Sequence, residues 1–391
     1  MKTLPLAFAF ALAFAPMVAC SSSGSNGGST IGAGPGGGTA TTGAGGTAAG
    51  GGTAAGGASA GGAVAAGGAV AAGGAMAAGG AMAAGGAAAA GAPGDYSHAV
   101  TLIVEPSDKG QAVVDAIKAA KKSIHMTMYL LSSTDVINAL IAAKKSGVDV
   151  KVVLNKTFPA GSGTDNNAEY AKLASGGVQV VWAPASFALT HEKCMIIDGA
   201  TAWIMTMNLT FTSPTDNREY LAIDTDPEDV TEAEEIFAAD FAGTPASVSG
   251  RLVVAPYNAQ ARLLALLQTA TTSIDVEGEE FSDSMLTSAL VSAAAAGIKV
   301  RMVLPDAGST SQQKAVAALK AANIPVVAVA NPYIHAKAIV VDGARAYVGS
   351  VNFTFPSESM NRELGLVTDA PDALTKLKAT IGADFAAGKA L

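Results

Sequence analysis

The sequence predicts an α/β protein in which two related halves each form a layered sheet covered by helices. Two observations support this prediction. Strand-like and helix-like apolar periods alternate along the chain after residue 93, and the same order of elements occurs twice. The equivalent residues Ser123 and Ser273 lie 150 positions apart. We therefore expect two tandem α/β/α sandwich domains, over residues 94–245 and 246–391.

The elements of the two halves follow the same plan. In the first half, strands are predicted at 100–104, 123–129 and 148–154, with helices through Ala116 and Ala120 and through Leu140 and Ala143. In the second half, strands are predicted at 252–255, 273–279 and 298–304, with helices at 263–267 and 286–290. Strands that alternate with helices indicate a sheet with helices on its faces.

Residues 1–20 have the organisation of an export signal, with Lys2 ahead of an apolar stretch too short for a confident membrane span. Residues 17–20, Met-Val-Ala-Cys, resemble a bacterial lipobox, in which Cys20 becomes the lipidated first residue of the mature chain. Ordinary signal cleavage is the alternative, although the large Met17 fits such a site poorly. We expect an exported bacterial lipoprotein that is anchored in a membrane, with the outer membrane or the cell surface as its location.

Residues 21–93 consist mostly of Gly, Ala, Ser and Thr and carry no charged side chain. Such a segment buries too little apolar area to offset the entropy lost on ordering it, so it is predicted to be a disordered tether. A second membrane helix is the alternative, because residues 63–93 are uncharged. Their repeated Gly pairs disfavour both helix formation and lipid partitioning.

The charges lie almost entirely in residues 94–391. That region holds all 32 acidic residues and, since only Lys2 precedes it, 23 of the 24 basic residues, a net charge of about −9. An acidic balance argues against a protein that holds long stretches of nucleic acid, because phosphates favour a basic surface. The other cysteine, Cys194, is expected to be buried, and no internal disulfide is predicted.

One set of polar residues recurs at identical spacings late in each half. The first copy is His191, Lys193, Asp198, Asn208 and Glu219, and the second is His335, Lys337, Asp342, Asn352 and Glu363. In both copies the Lys, Asp, Asn and Glu follow the His by 2, 7, 17 and 28 residues. Exposed polar residues are free to change, so four matching offsets indicate a shared site as well as a shared fold.

The first three members of each copy suggest a strand and a turn. A His and a Lys two residues apart on a strand point to the same face, so both polar groups are expected to face one cleft. The Asp-Gly pairs at Asp198 and Asp342 separate two apolar strands, which predicts a tight hairpin turn. The two aspartates are therefore expected to support the turn and not to react.

The remaining members follow this turn. The return strand is expected to bring Asn208 or Asn352 back beside the lysine. The next Asn-Arg-Glu segment begins another strand, which could place Glu219 or Glu363 against the imidazole. A carboxylate in that position fixes the tautomer of the ring and raises its basicity.

These residues resemble the phospholipase D superfamily, whose hallmark is His-x-Lys followed by Asp and Asn at these spacings, usually twice. The resemblance covers residues 98–391 and implies that both motifs meet at one metal-free site across a pseudo-two-fold interface. It also implies two-step phosphoryl transfer, in which one histidine forms a phosphohistidine while the other protonates the leaving alcohol and then activates water. Both lysines and both asparagines would hold the non-bridging oxygens, whose growing charge they stabilise.

The two copies differ just ahead of the asparagine. The second copy has Gly349 and Ser350, the usual form in the superfamily, whereas the first has Met205 and Thr206. Thr206 retains a hydroxyl group, so Thr206 and Ser350 are both expected to support the site. Met205 adds bulk where the superfamily prefers glycine, which makes the two halves unequal.

By analogy with two-motif members, His191 is favoured as the nucleophile and His335 as the acid and base, and the reverse assignment is the alternative. No cofactor is expected. The four histidines are scattered and no ligand spacing is present, which argues against a zinc site. Two strand faces carry further polar side chains that either line the cleft or face solvent: His125, Thr127 and Tyr129, and Asp275, Glu277 and Glu279.

Several functions of the superfamily compete for this chain. A nuclease is disfavoured by the acidic balance and by an aromatic content of only 5%, which limits base stacking. A transphosphatidylase such as a cardiolipin synthase usually carries membrane helices near its N-terminus, and a non-catalytic relic would not keep both motifs. A lipid anchor would place the enzyme beside phospholipid. We therefore expect a monomeric phospholipase D that acts on glycerophospholipids.

Overall fold

Two mixed sheets form the framework of residues 96–391, which are the part of the chain that this computed structural model describes. Strands and helices alternate as the sequence predicts, and the α/β fold with two pseudo-repeats is confirmed. The predicted export signal, the lipidated Cys20 and the tether lie outside the described residues. Within 96–391, no helix combines the length and the apolar character needed to cross a membrane.

The first half builds the first sheet, to which the second half adds one two-residue strand, Tyr333–Ile334, beside the last strand of the first half. Its strands are β1 (Val100–Glu105), β2 (Ser123–Met128), β3 (Asp149–Leu154), β4 (Gln179–Trp182), β5 (Lys193–Ile197), β6 (Thr201–Met205) and β7 (Asn217–Asp224). Its helices are α1 (Gln111–Ala119), α2 (Thr134–Lys145), α3 (Asn167–Ser175), α4 (Ser213–Asp216) and α5 (Pro227–Ala242). The strand order is β1-β7-β6-β5-β2-β3-β4, with β2, β3 and β4 parallel and the other pairs antiparallel.

The second half repeats this arrangement. Its strands are β8 (Val253–Ala255), β9 (Ser273–Gly278), β10 (Lys299–Leu304), β11 (Val326–Ala328), β12 (Tyr333–Ile334), β13 (Lys337–Val341), β14 (Arg345–Gly349), β15 (Glu363–Thr368) and β16 (Lys389–Ala390). Its helices are α6 (Ala259–Gln268), α7 (Ser284–Ala295), α8 (Thr310–Ala321), α9 (Phe355–Ser359) and α10 (Pro371–Ala387). The order β8-β15-β14-β13-β9-β10-β11-β16 matches the first sheet strand for strand, with β16 added at the edge.

Local sequence signals set the starts of the equivalent helices α2 and α7. The side chain of Ser133 accepts a hydrogen bond from the N–H of Val136, and Asp283 accepts from the N–H groups of Met285 and Leu286. Ser and Asp are favoured at this position because their oxygens satisfy backbone donors that have no partner inside the helix. Both helices therefore begin with a capping side chain, which is Ser133 in the first half and Asp283 in the second.

Three apolar cores hold the layers together. One packs α1, α2 and α3 against the outer face of the first sheet, and a second packs α6, α7 and α8 against the second sheet. The third core lies between the sheets and is shared by both halves. It combines Ile196, Ala222 and Phe237 of the first half with Ala338, Leu366 and Leu377 of the second. The two sheets and helices α5 and α10 thus depend on each other for burial.

Two ion pairs, one fully buried and one partly buried, cross between the halves at equivalent positions. The guanidinium of Arg362 donates to Asp240 of α5 at 2.7 and 2.9 Å, and both side chains are 0% exposed. The guanidinium of Arg218 donates to Asp384 of α10 at 2.6 and 3.0 Å. Each arginine directly precedes the glutamate of its motif. The last helix of each half therefore anchors the strand that carries the motif glutamate of the other.

We predict that Asp240→Asn lowers the free energy of unfolding by about 3–5 kcal/mol, because it leaves the buried Arg362 charge without its partner. Denaturant unfolding of the variant and the native protein measures this difference. The control is Asp275→Asn, which removes a partly exposed pair with Arg301 and is expected to cost less than about 1 kcal/mol. Equal losses in both variants would contradict a special role for the crossing pair.

Candidate active site

Backbone pairing between the halves positions both histidines. Just before the first motif, Thr190 forms a bridge with Arg362, and the N–H of His191 donates to the Arg362 carbonyl at 2.9 Å. Just before the second motif, β12 pairs with the start of β7, and the N–H of His335 donates to the Arg218 carbonyl at 3.3 Å. Each histidine is therefore attached to the strand that carries the glutamate of the opposite half.

Each imidazole meets that glutamate through Nδ1. His191 Nδ1 lies 3.0 Å from both carboxylate oxygens of Glu363, and His335 Nδ1 lies 2.8 Å from Oε1 of Glu219. Burial alone would raise the pKa of each glutamate, but the neighbouring histidine and hydrogen bonds hold both pKa values below the usual range. A carboxylate at Nδ1 keeps a proton on that nitrogen and turns Nε2 towards a substrate. The sequence predicted the contact but not its crossing between halves.

Short hydrogen bonds orient the two glutamates. Glu219 accepts from Thr206 at 2.5 Å and from Asn217 at 3.1 Å. Glu363 accepts from Asn361 at 3.2 Å and from a serine of α9, Ser357, at 2.6 Å. Thr206, predicted to support the site, is thus placed against the glutamate of its own half. The sequence analysis did not single out Ser357. The signal that could have found it is its position five residues after the motif asparagine, Asn352.

Ser350, the predicted counterpart of Thr206, has a different set of contacts. Its hydroxyl accepts from the N–H of Leu364 at 3.0 Å and lies 3.3 Å from the Leu364 carbonyl. It therefore supports the backbone of β15 next to Glu363. The hydroxyl that contacts the carboxylate comes from α9 in this half and from the end of β6 in the other.

Both motif lysines are buried, with exposures of 1% for Lys193 and 0% for Lys337. Each Nζ donates to the main-chain oxygen of its own histidine, at 2.5 Å to His191 and 2.6 Å to His335. Burial lowers the pKa of Lys193 to about 7. Strands β5 and β13 begin at the lysines, so each histidine lies just ahead of the strand and not within it as expected.

The charged side chains that shift the pKa of His191 come from both motifs, so the two motifs share one site. Burial lowers the pKa of His191, the Glu363 carboxylate raises it, and the lysines of both motifs lower it. The two asparagines, Asn208 and Asn352, are each 8% exposed, and their amide oxygens have no hydrogen-bond partner among the described residues. A buried polar atom without a partner is costly. These amides retain hydrogen-bonding capacity for a bound substrate.

The aspartates of the motifs lie at the hairpin turns. Asp198 and Asp342 have left-handed φ angles of 57° and 54°. Asp198 accepts from the N–H groups of residues 121–123 at 2.6–3.0 Å, and Asp342 from those of residues 271–273 at 2.7–2.8 Å. They tie the turn to the strand entering the sheet, which is the supporting position that the sequence predicts.

The Met-for-Gly difference between the motifs is accommodated in the core. A side chain at Gly349 would collide with the neighbouring strand at Gly365, where the ring of Tyr347 fills the space. At the equivalent positions of the first half, Met205 packs with Trp203 and a leucine in the outer apolar core. The bulk that Met205 adds is therefore buried behind the sheet, and each half keeps an aromatic ring two residues earlier, Trp203 in the first and Tyr347 in the second.

The weaker polar faces divide into two groups. His125 pairs with Glu234 at 2.7 Å and Asp275 pairs with Arg301 at 2.6 Å, so neither reaches the motif residues. Glu277 accepts a hydrogen bond from a tyrosine between the sheets. Tyr129 and Glu279 are the last residues of these two faces. Tyr129 contacts His191, and Glu279 contacts Lys337.

Comparison with known proteins agrees with this geometry. A family model described as cardiolipin synthase, PLD-like domain, matches residues 113–241 and again residues 263–385. These two matches cover more than half of the chain. The chain belongs to the phospholipase D superfamily.

Individual relatives are more distant. The chain is 24% identical to cardiolipin synthase 2 of Bacillus anthracis over 325 residues, which are 68% of this chain and 60% of that protein. It is 33% identical to a phospholipase D of Rickettsia prowazekii over 98 residues, 25% of this chain and 48% of that protein. The chain thus spans about 60% of the length of the two Bacillus cardiolipin synthases that it matches.

The fold has a counterpart among solved structures. Phosphatidylserine synthase of Haemophilus influenzae superposes with a TM-score of 0.59 at 12% identity, over 75% of this chain and 87% of that one. At this identity the likeness concerns the fold alone. It agrees with the two-sheet framework that the superfamily resemblance implies.

We predict that Lys193 makes anion binding depend on pH. Its pKa of about 7 means that it loses its charge as pH rises, so sulfate affinity should fall about tenfold between about pH 7 and about pH 9. Sulfate keeps a constant charge over this range, and titration calorimetry measures its affinity. Lys193→Met should bind more weakly and with a shallower pH dependence. An unchanged slope in that variant would assign the effect to another group.

Proposed function

We propose that this chain is a phospholipase D, which hydrolyses glycerophospholipids at the head-group ester through a phosphohistidine. The supporting observation is the pair of imidazoles, each in contact with a buried glutamate of the opposite half and each in a motif with a buried lysine. Two such imidazoles supply a nucleophile and an acid, and the lysines supply positive charge for the phosphate.

In the first step, Nε2 of His191 attacks phosphorus as the bond from phosphorus to the head-group oxygen breaks. His335 donates its Nε2 proton to the departing oxygen, so the alcohol leaves neutral. Lys193 and Lys337 offset the charge on the non-bridging oxygens, with Asn208 and Asn352 as further contacts. Glu363 stabilises the positive charge that His191 gains when the nitrogen–phosphorus bond forms.

In the second step, water attacks the phosphohistidine and gives its proton to Nε2 of His335. The nitrogen–phosphorus bond breaks and its electron pair returns to His191, which restores both histidines. Glu219 offsets the charge that His335 regains. His335 therefore acts as an acid in the first step and as a base in the second, while His191 first binds and then releases phosphorus.

Two observations favour a phospholipid over a nucleic acid as substrate. The relatives named above are called cardiolipin synthase and phospholipase D. The chain carries a net charge of −8, whereas an extended nucleic-acid surface favours a basic protein. A metal-independent nuclease is the less favoured reading.

A transphosphatidylase is the second candidate, and a specific observation favours it. The relative that matches over 68% of the chain is named cardiolipin synthase. The chemistry of the site is the same for both candidates, because an alcohol replaces water as the acceptor in the second step. The ratio of the two products distinguishes them.

The location of the enzyme is also a proposal. The Met-Val-Ala-Cys sequence ending at Cys20 and the uncharged stretch that follows it support export, lipidation and a tethered domain beside a membrane. Such an anchor would keep the site close to its phospholipid substrate, and the chain would act as a monomer because it holds both motifs.

We predict that His191→Ala and His335→Ala each reduce phosphodiester turnover by at least about 1,000-fold, because each removes one of the two groups that exchange roles. A chelator in excess should leave turnover of the native protein unchanged. The matched control is His98→Ala, an exposed histidine outside the site, which should retain activity. Full activity in either motif variant would rule out the two-histidine site.

The substrate class is tested by offering the full-length protein phosphatidylcholine vesicles, with and without added glycerol, and single-stranded DNA. Free choline with phosphatidic acid supports phospholipase D activity. Phosphatidylglycerol as the main product when glycerol is present supports a transphosphatidylase. Cleaved DNA with intact lipid would overturn the lipid proposal in favour of a nuclease.

A further inference from the structure

Tyr129 and Glu279 occupy equivalent positions in the two halves. They directly follow β2 and β9, whose last residues pair with Lys193 and Lys337. The N–H of Tyr129 donates to the carbonyl of Glu192 at 3.1 Å, and that of Glu279 to the carbonyl of the equivalent Ala336 at 3.0 Å. The backbone therefore presents both side chains to the site in the same way, and they differ only in chemistry.

The first half places an aromatic ring beside its motif. The rings of His191 and Tyr129 meet edge to face, with ring centroids 4.5 Å apart and an interplanar angle of 67°. The Nζ of Lys193 lies 4.9 Å from the centroid of the same ring. His191 therefore has a carboxylate contact at Nδ1 and an aromatic neighbour, which suits a neutral imidazole with an Nε2 lone pair.

The second half places a carboxylate at the same position. One oxygen of Glu279 lies 2.7 Å from the Nζ of Lys337 and 3.4 Å from Nε2 of His335. The other nitrogen of His335 contacts Glu219 at 2.8 Å. Two carboxylates within ion-pair distance of the ring favour the imidazolium form, because nearby negative charge stabilises the positively charged ring.

We propose that Glu279 is a positioning residue that holds a proton on Nε2 of His335 in the resting enzyme and so makes His335 the acid and His191 the nucleophile. The inference rests on the proposed phosphohistidine mechanism and adds the residue that divides the roles. In the first step this proton passes from Nε2 to the departing oxygen as the phosphorus–oxygen bond breaks. In the second step Nε2 recovers a proton from the attacking water.

The charges around His335 are consistent with this role. Burial would raise the pKa of Glu279, but the charges of His335 and Lys337 and the hydrogen bond from Lys337 hold its pKa well below the usual range. The charged or titratable groups that face the site are Glu219 from β7, Glu279 and Glu280 after β9, Tyr333 from β12, Lys337 from β13, and Lys193, His191 and Glu363 of the first-histidine cluster. Glu279 is thus ionised beside His335, whereas the equivalent neighbour of His191 is the ring of Tyr129.

The first test observes the proton directly in the full-length protein. Nitrogen-15 NMR of the four histidines, assigned with His→Gln variants, should find a proton on both nitrogens of His335 in the resting protein, because a carboxylate lies close to each of them. In Glu279→Gln the Nε2 proton should be lost, and in Glu279→Asp it should be retained. The shifts of His191 report whether each variant remains folded.

The outcomes of this test are decisive without any turnover. A neutral His335 in the native protein would overturn the proposal, as would an imidazolium that persists in Glu279→Gln. Because no substrate is present, a failure here is separate from a failure of the proposed lipid hydrolysis. If Glu279→Gln unfolds, the native protein and Glu279→Asp still test the proposal, because His335 must be an imidazolium in both.

The second test compares two synthetic phosphodiesters that differ only in leaving group, 4-nitrophenol or an unactivated alcohol. Glu279→Gln should lose about tenfold to a hundredfold in the first step with the alcohol and less than about threefold with nitrophenol, which departs without a proton. Asp275→Asn, a carboxylate on β9 that pairs with Arg301 outside the site, should retain both rates. Equal losses with both leaving groups would show a merely structural role.

Discussion

The pairing of backbone between the two halves is the constraint on which the site depends. His191 and His335 each donate their N–H to the arginine that precedes the glutamate of the opposite half. The same arginines reach back to aspartates of the terminal helices α5 and α10. These contacts between the halves therefore fix the position of each histidine, of its carboxylate partner and of the interface together. Neither half contains a complete histidine–glutamate pair by itself.

The site concentrates buried charge that the fold must stabilise. Two lysines and two glutamates are at most 1% exposed, and the pKa of Lys193 is lowered to about 7 by burial. Burial also raises the pKa of Glu192, between His191 and Lys193, to about 8. Such perturbed groups cluster where chemistry is performed, because desolvation strengthens every interaction with a bound anion. The three apolar cores offset the free energy that burying this charge costs.

Duplication explains the framework, and divergence explains the chemistry. The sheets agree strand for strand, and the turn aspartates make the same backbone contacts in both halves. The differences occur where a side chain faces the reaction or fills a core, as with Tyr129 against Glu279 and Met205 against Gly349. A symmetric scaffold with asymmetric side chains can hold two histidines in different protonation states.

The sequence by itself determined the α/β class, the repeat and the paired polar residues, because apolar periodicity and exact spacing are local properties of the chain. It also determined that Asp198 and Asp342 lie at turns, since Asp-Gly between two strands has few alternatives. Only the tertiary structure decided which glutamate meets which histidine, and that Glu279 and Ser357 reach the site. Those contacts join residues far apart in the chain, and their geometry follows from how two sheets pack, which no local pattern encodes.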